Sequence, residues 1–184
     1  MLCFINPGHD QKYDSGAVNP ATGVRECDIA ARIGAKLREY LEAAGVACEI
    51  MQSDNLDWDT VYSDRMDASV CDTANDSGAD IFVSIHCNAA SGSAKGTETL
   101  IYSAGGKSQL LAQCIQDQIV ESLDMVDRGL KERPELIVLH ATDMPAVLVE
   151  TGFIDNDEDF AKLEGRTDEF AAAIARGVTD YENA

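Results

Sequence analysis

Apolar and polar positions follow two different periods along this chain. Leu2–Ile5 is a continuous apolar run, as expected of a strand buried on both faces. From Ile29 the period changes. Ile29, Ile33, Leu37, Tyr40, Leu41 and Ala44 recur at helical spacing, while Arg32, Lys36, Arg38 and Glu39 fill most of the other face. Gly45 stops this helix. Val46–Met51 predicts a second strand. A polar segment, Gln52–Trp58, leads to a helix through Tyr62–Asn75, which Gly78 ends. Ile81–Ile85 is an unbroken apolar strand, and residues 88–96, "NAASGSAKG", form a small polar loop. Thr97–Tyr102 predicts a strand and residues 107–123 a helix. Leu136–Leu139 and Ala146–Val149 predict two more strands. From Phe160 onward the chain reads as helix, with Phe170, Ile174 and Val178 on its core face.

Strands alternating with helices of this length imply βαβ units. The predicted class is α/β, a mainly parallel sheet with helices on both faces. No linker or internal repeat interrupts the pattern, so residues 1–184 are read as one domain. A chain of this size buries roughly 70% of the surface its unfolded form exposes, enough for a core without staples.

Charge narrows the function. Thirty-three acids against fourteen bases leave a formal net charge of −19. Such a surface repels phosphates and anionic polymers, which excludes nucleic acid as a partner. No apolar run approaches the ~20 residues that span a bilayer, so membrane insertion is not expected. After Met1 the sequence enters its first core strand, and no signal peptide is visible. Action outside the cell would then require excision from a longer chain or release by another route. The six cysteines form no CxxC pair and fall in apolar or helical patterns, so buried reduced thiols are expected.

In open α/β sheets, ligands gather outside the carboxyl ends of the strands. His9 follows the first strand in "INPGHD", His86 ends "IFVSIH", and Glu150 ends "PAVLVE". Glu26 opens the first long helix. Each has an ordinary structural explanation. A strand-end histidine often serves as a hydrogen-bonding residue, Glu26 suits the positive end of a helix dipole, and Glu150 can cap the turn after its strand. Together they suggest more. Two histidines and a glutamate form a three-ligand catalytic zinc set with one position left for water. Glu150 would then be the general base for that water.

These residues lie in motifs that carry a family resemblance. In order they are "INPGHD", "GVRECDIA", "DIFVSIHCNA", "GTETLIY", "DRGLKERPELIVL" and "MPAVLVETGFIDN". From residue 2 to about 181 the chain resembles the zinc-dependent N-acetylmuramoyl-L-alanine amidases of the Amidase_3 family, among them bacterial autolysins and phage endolysins. The resemblance implies a single-domain mixed, mostly parallel sheet with helices on both sides. It implies hydrolysis of the amide joining the lactyl group of N-acetylmuramic acid to L-alanine of the stem peptide. It assigns one zinc ion per chain to His9, Glu26 and His86, and the catalytic carboxylate to Glu150.

The expected partner is therefore peptidoglycan or a muropeptide, and the expected location the bacterial cell wall. The net charge opposes direct adhesion to an anionic wall, so a separate wall-binding module or the cell context is expected to supply targeting. Asn88, Arg65 and Arg128 are candidates for substrate contact, with Asn88 alternatively supporting a ligand and each arginine alternatively pairing with acids. Asp10 departs from the glycine usual after the first histidine, and "MQSDN" departs from the usual Thr-Arg. His140 is expected to be structural or to line the groove. Cys87 adjoins His86 and, by strand alternation, should face away from the metal. Two other readings compete: a zinc hydrolase of another peptide amide, and a wall-binding module that has lost catalysis.

Overall fold

The computed structural model describes residues 1–57 and 68–184. The Tyr62–Asn75 helix therefore falls partly outside the described residues. Its described part is α2 (Val70–Ser77), which starts at Ser69, whose hydroxyl accepts from the Asp72 amide, and ends at Gly78 with φ +69°. The other helices are α1 (Glu26–Ala43), α3 (Gly106–Leu123), α4 (Ile137–His140), α5 (Asp157–Gly165) and α6 (Thr167–Glu182). Six strands form one sheet: β1 (Leu2–Pro7), β2 (Ala47–Ile50), β3 (Ile81–Asn88), β4 (Thr97–Ile101), β5 (Asp127–Glu132) and β6 (Ala146–Phe153). Their order is β2-β1-β3-β6-β4-β5. Every neighbouring pair is parallel except β4 with β6. The sheet is thus mixed, and β4 and β5 run opposite to the other four. Among the described residues, no helix is long and apolar enough to cross a membrane.

Alternation along the strands sends side chains to two faces. On one face Ile5, Val83, Ile85, Val147 and Val149 pack under α1, α3 and α6. Ile29, Ile33, Leu37 and Leu41 of α1 are fully buried there, as the helical spacing predicts. Each such side chain contributes about 1.5–3 kcal/mol through burial. On the other face Phe4, Phe82, Leu100 and Leu148 pack under α2 and α4, through Val70, Cys71, Ala74, Val138 and Leu139. Phe4 and Phe82 stack with ring centroids 5.7 Å apart.

Three elements differ from the sequence expectation. Leu136–Leu139 is not a strand. Ile137–His140 forms the single turn of α4 instead. A four-residue apolar run has too little length to choose a period, and here Val138 and Leu139 pack onto the second face. The charged segment Asp127–Glu132 is a strand, β5. It lies at the sheet edge, where only one side pairs and charged side chains reach water. The helix expected from Phe160 is two helices divided at Arg166, whose φ of −130° is not helical and whose guanidinium donates to the carbonyls of Ser122 and Leu123.

Candidate active site

The carboxyl end of β1 is fixed before it reaches His9. Asn6 is buried, accepts from the Ser84 hydroxyl (2.8 Å) and donates to the Met51 carbonyl (3.0 Å), tying β1 to both neighbours. The Gly8 amide then donates to the Ile85 carbonyl at 2.8 Å. A Cβ on Gly8 would stand 2.5 Å from Nε2 and 2.7 Å from Nδ1 of His86, so only glycine lets the chain pass that ring. His9 itself has φ +63°, a left-handed conformation that non-glycine residues seldom adopt and that clusters at functional sites.

Asp10 neither faces the histidines nor merely meets solvent. Its carboxylate accepts from the amides of Lys12 (2.7 Å) and Tyr13 (2.9 Å) and closes a turn. That turn delivers Asp14, whose Oδ2 lies 2.7 Å from His9 Nδ1. In the neutral ring, Nδ1–H donates to Asp14, and Nε2, the nitrogen turned toward Glu26, keeps the lone pair that a cation would use. Gln52, from the divergent "MQSDN", donates to the carbonyls of Gly8 (3.1 Å) and Cys27 (2.9 Å) and joins the histidine loop to α1.

Glu26 is 3% exposed. Its Oε2 accepts from the Ala17 amide (2.9 Å) and its Oε1 from the Cys87 amide (2.9 Å). The same Oε1 lies 3.1 Å from His9 Nε2 and 3.0 Å from His86 Nδ1. One ligand atom from each of His9, Glu26 and His86 lies within 4.8 Å of the others. Donors on a tetrahedral zinc stand about 3.3 Å apart when each bond is about 2.0 Å, so the two His–Glu separations suit a shared cation. Gly16, at φ +63°, allows this approach, because a Cβ there would lie 2.5 Å from His9 Cδ2 and 2.6 Å from Glu26 Oε2. Burial opposes charge on His9, but hydrogen bonds to Glu26 and Asp14 outweigh it and raise its pKa to about 9. Burial likewise opposes charge on Glu26. Its hydrogen bonds with His86 and His9 prevail and hold its carboxyl well below the ordinary carboxylate range.

Glu150 pairs in register with His86 on β3 and with Glu98 on β4. The Thr97 hydroxyl donates to its carbonyl and the Thr151 hydroxyl to that of His86, each at 2.8 Å. Its Oε2 is buried and has no hydrogen-bond partner among the described residues. Burial raises the Glu150 pKa to about 7; His86 counteracts this, and the Glu26 and Glu98 carboxylates add to it. A buried, unsatisfied carboxylate oxygen is costly and calls for a functional account.

His86, Glu150 and Glu98 form a row across three strands. Each lies two positions nearer the rim than an inward-facing residue of the second face: His86 follows Ser84 and Glu150 follows Leu148, whereas Glu98 precedes Leu100 because β4 runs the other way. Glu98 is 6% exposed, and no sequence spacing marks it as a site residue. Its Oε1 accepts from Asn88 Nδ2 (3.0 Å) and its Oε2 from Arg128 Nε (2.8 Å). Asn88 thus supports Glu98 rather than a histidine, and Arg128 pairs with an acid. Arg65 lies outside the described residues. His140 is exposed at the end of α4, its Nδ1–H donates to the Pro134 carbonyl at 3.2 Å, and it lines a cavity with Tyr102, Lys107 and Asp143 by the amino end of β6, at the opposite rim. Cys87 is buried on the opposite face from His86, as alternation predicts, and all six cysteines are free. Asp14 was invisible to sequence spacing because a turn, not a period, brings it to His9. A cavity of about 150 Å³ adjoins His9 and His86, lined by Asn6, Asp54, Leu56, Ile137 and Leu148 among others, so α4 forms one groove wall.

The chain is 38% identical over 182 residues to the uncharacterized protein YqiI of Bacillus subtilis, covering 97% of this chain and 83% of that protein. It is 35% identical over 175 residues to the sporulation-specific N-acetylmuramoyl-L-alanine amidase of the same organism, covering 95% of this chain but only 64% of that protein. Its fold superposes on the crystal structure of an N-acetylmuramoyl-L-alanine amidase from Clostridium difficile 630 with a TM-score of 0.83 at 32% identity, over 100% of this chain and 97% of the other. Residues 3–180 match the sequence family described as N-acetylmuramoyl-L-alanine amidase, and the chain belongs to that family, Amidase_3.

Proposed function

We propose that this chain is a zinc-dependent peptidoglycan hydrolase that cleaves the amide between the lactyl group of N-acetylmuramic acid and L-alanine of the stem peptide. His9, Glu26 and His86 would hold the ion, one per chain. The observation that carries the reading is the buried Oε2 of Glu150, without a hydrogen-bond partner among the described residues, on the residue in register with His86. A zinc ion there supplies Lewis acidity toward water and the scissile carbonyl. Glu150, with its raised pKa, accepts the proton of the attacking water at neutral pH. As the carbon–oxygen bond forms and the carbon–nitrogen bond breaks, Glu150 returns that proton to the departing amine of L-alanine. Asp14 holds His9 in the tautomer that keeps Nε2 free.

The groove walled by α4 beside His9 and His86 is the proposed seat for a peptide carried on a glycan strand. The cell wall is the proposed place of action. The −19 charge favours wall attachment through a separate module or the cell context. Salt-insensitive sedimentation of this chain alone with purified wall would contradict that.

The test is a defined muropeptide assay that follows release of the L-alanine amino terminus, with and without chelator. Activity should vanish with chelator and return with zinc. Glu150→Gln should retain zinc by elemental analysis and lose about 10²- to 10⁴-fold in rate. Cleavage at another amide would favour the peptidase reading, and binding without cleavage a silent module. Near wild-type rate in Glu150→Gln would overturn the assignment of Glu150.

A further inference from the structure

The reversed direction of β4 and β5 has a chemical consequence. Their amino ends, not their carboxyl ends, reach the rim that holds His86 and Glu150. Glu98 arrives there on β4 and Arg128 on β5. Arg128 is clamped. Its Nε–H donates to Glu98 Oε2 at 2.8 Å, and its guanidinium carbon lies 4.9 Å from the centroid of the Phe153 ring on β6. A guanidinium has five N–H donors, and Nε–H is the one held by Glu98. The four on Nη1 and Nη2 have no hydrogen-bond partner among the described residues, and the side chain is 36% exposed.

Three features make this a carboxylate-binding group. It is preorganised, so little rotamer freedom remains to be lost on binding. Its outer edge presents the parallel N–H pair that fits a carboxylate bidentately. It also provides positive charge at a rim that carries, among the described residues, the carboxylates of Asp14, Glu26, Glu98 and Glu150. Neighbouring cations are occupied elsewhere: Arg25 by both oxygens of Asp28 and by the Gln11 carbonyl, and Lys95 by Glu158. The guanidinium leans back from β5 over Glu98 and Phe153, which places it about one strand spacing, roughly 5 Å, from the strand of Glu150. An extended peptide advances about 3.4 Å per residue. A chain leaving the scissile amide toward β4 and β5 therefore passes Arg128 with its second residue.

We propose that Arg128 binds a free carboxylate on the second residue of the stem peptide and so selects acidic over amidated stems. This rests on the amidase reading above. The experiment uses two muramoyl-tripeptides that differ only in whether the second residue is D-isoglutamate or D-isoglutamine. They are cleaved by wild type, Arg128→Ala and Arg128→Lys. Wild type should prefer the carboxylate by about 10-fold or more in kcat/KM, the scale of one hydrogen-bonded charge. Arg128→Ala should lose about 10- to 100-fold on the carboxylate substrate, chiefly through KM, and little on the carboxamide, so that selectivity falls to near unity. Arg128→Lys keeps the ion pair with Glu98 and should keep part of the selectivity, which preserves the readout if the alanine variant folds poorly. Equal losses on both substrates would make Arg128 a structural partner of Glu98 and overturn the inference. Cleavage of both by wild type without preference would overturn it while leaving the amidase reading intact. Cleavage of neither would overturn both.

Discussion

Replacing Gly8 with alanine is a one-methyl test of how the candidate metal site is built. Gly8 does not occupy the left-handed region, so an alanine backbone is tolerated there and the effect isolates the side chain. The new Cβ would sit 2.5 Å from His86 Nε2 and 2.7 Å from Nδ1. Ordinary contact begins near 3.4 Å, so the ring must retreat by about 1 Å. The backbone cannot yield instead. Gly8 N–H is bonded to the Ile85 carbonyl, the His86 carbonyl accepts from Thr151, and both strands are paired on each side. The ring must therefore rotate, which breaks its 3.0 Å approach to Glu26. A displacement of this size at a reacting centre costs about 10²-fold in rate. Overpacking adds about 1–3 kcal/mol of destabilisation, or roughly 2–12 °C in Tm for a domain of this size. Zinc titration of the chelated protein, muropeptide turnover and thermal melting measure the three effects. Gly165→Ala serves as control, since a Cβ there meets nothing within 4 Å. Wild-type zinc affinity and turnover in Gly8→Ala would refute the claim that this glycine sets the His86 position.

Other outcomes follow from the same contacts. Asp14→Ala removes the 2.7 Å partner of His9 Nδ1 and should weaken zinc binding about 10- to 100-fold without unfolding the chain, as isothermal titration would show. Because Glu150 must be unprotonated to accept a proton and its pKa is raised to about 7, kcat/KM should fall as pH drops through that range. A cation beside it favours the carboxylate, so in the loaded enzyme the acid limb moves lower, never higher. A pH–rate profile checks this, and a limb well above pH 7 would contradict it. Gly177→Ala, far from the site, should destabilise by about 1–3 kcal/mol in denaturant melts, since its Cβ would stand 2.5 Å from Ile115 Cα where α3 and α6 cross.

What the sequence determined by itself is set by local periodicity and by chain direction. The α1 face, the buried strands β1, β3 and β6, and the arrival of His9, His86 and Glu150 at one rim all follow from apolar runs with a fixed period. A parallel strand delivers its last residue to a known side of the sheet. Where the run was too short, as at Leu136–Leu139, periodicity had no power, and packing against Phe82 and Leu148 chose a helical turn that walls the groove. Where the strand was charged, as at Asp127–Glu132, burial gave no signal because an edge strand needs little. Asp14 reaches His9 through the Asp10 turn, a hydrogen-bonded closure without a period. Glu98 and Arg128 needed the most distant information. They stand at the amino ends of their strands, and only the antiparallel pairing of β4 with β6 turns those ends toward His86 and Glu150. Strand direction is decided by which edges find partners across the whole sheet, and no local stretch of sequence carries that choice.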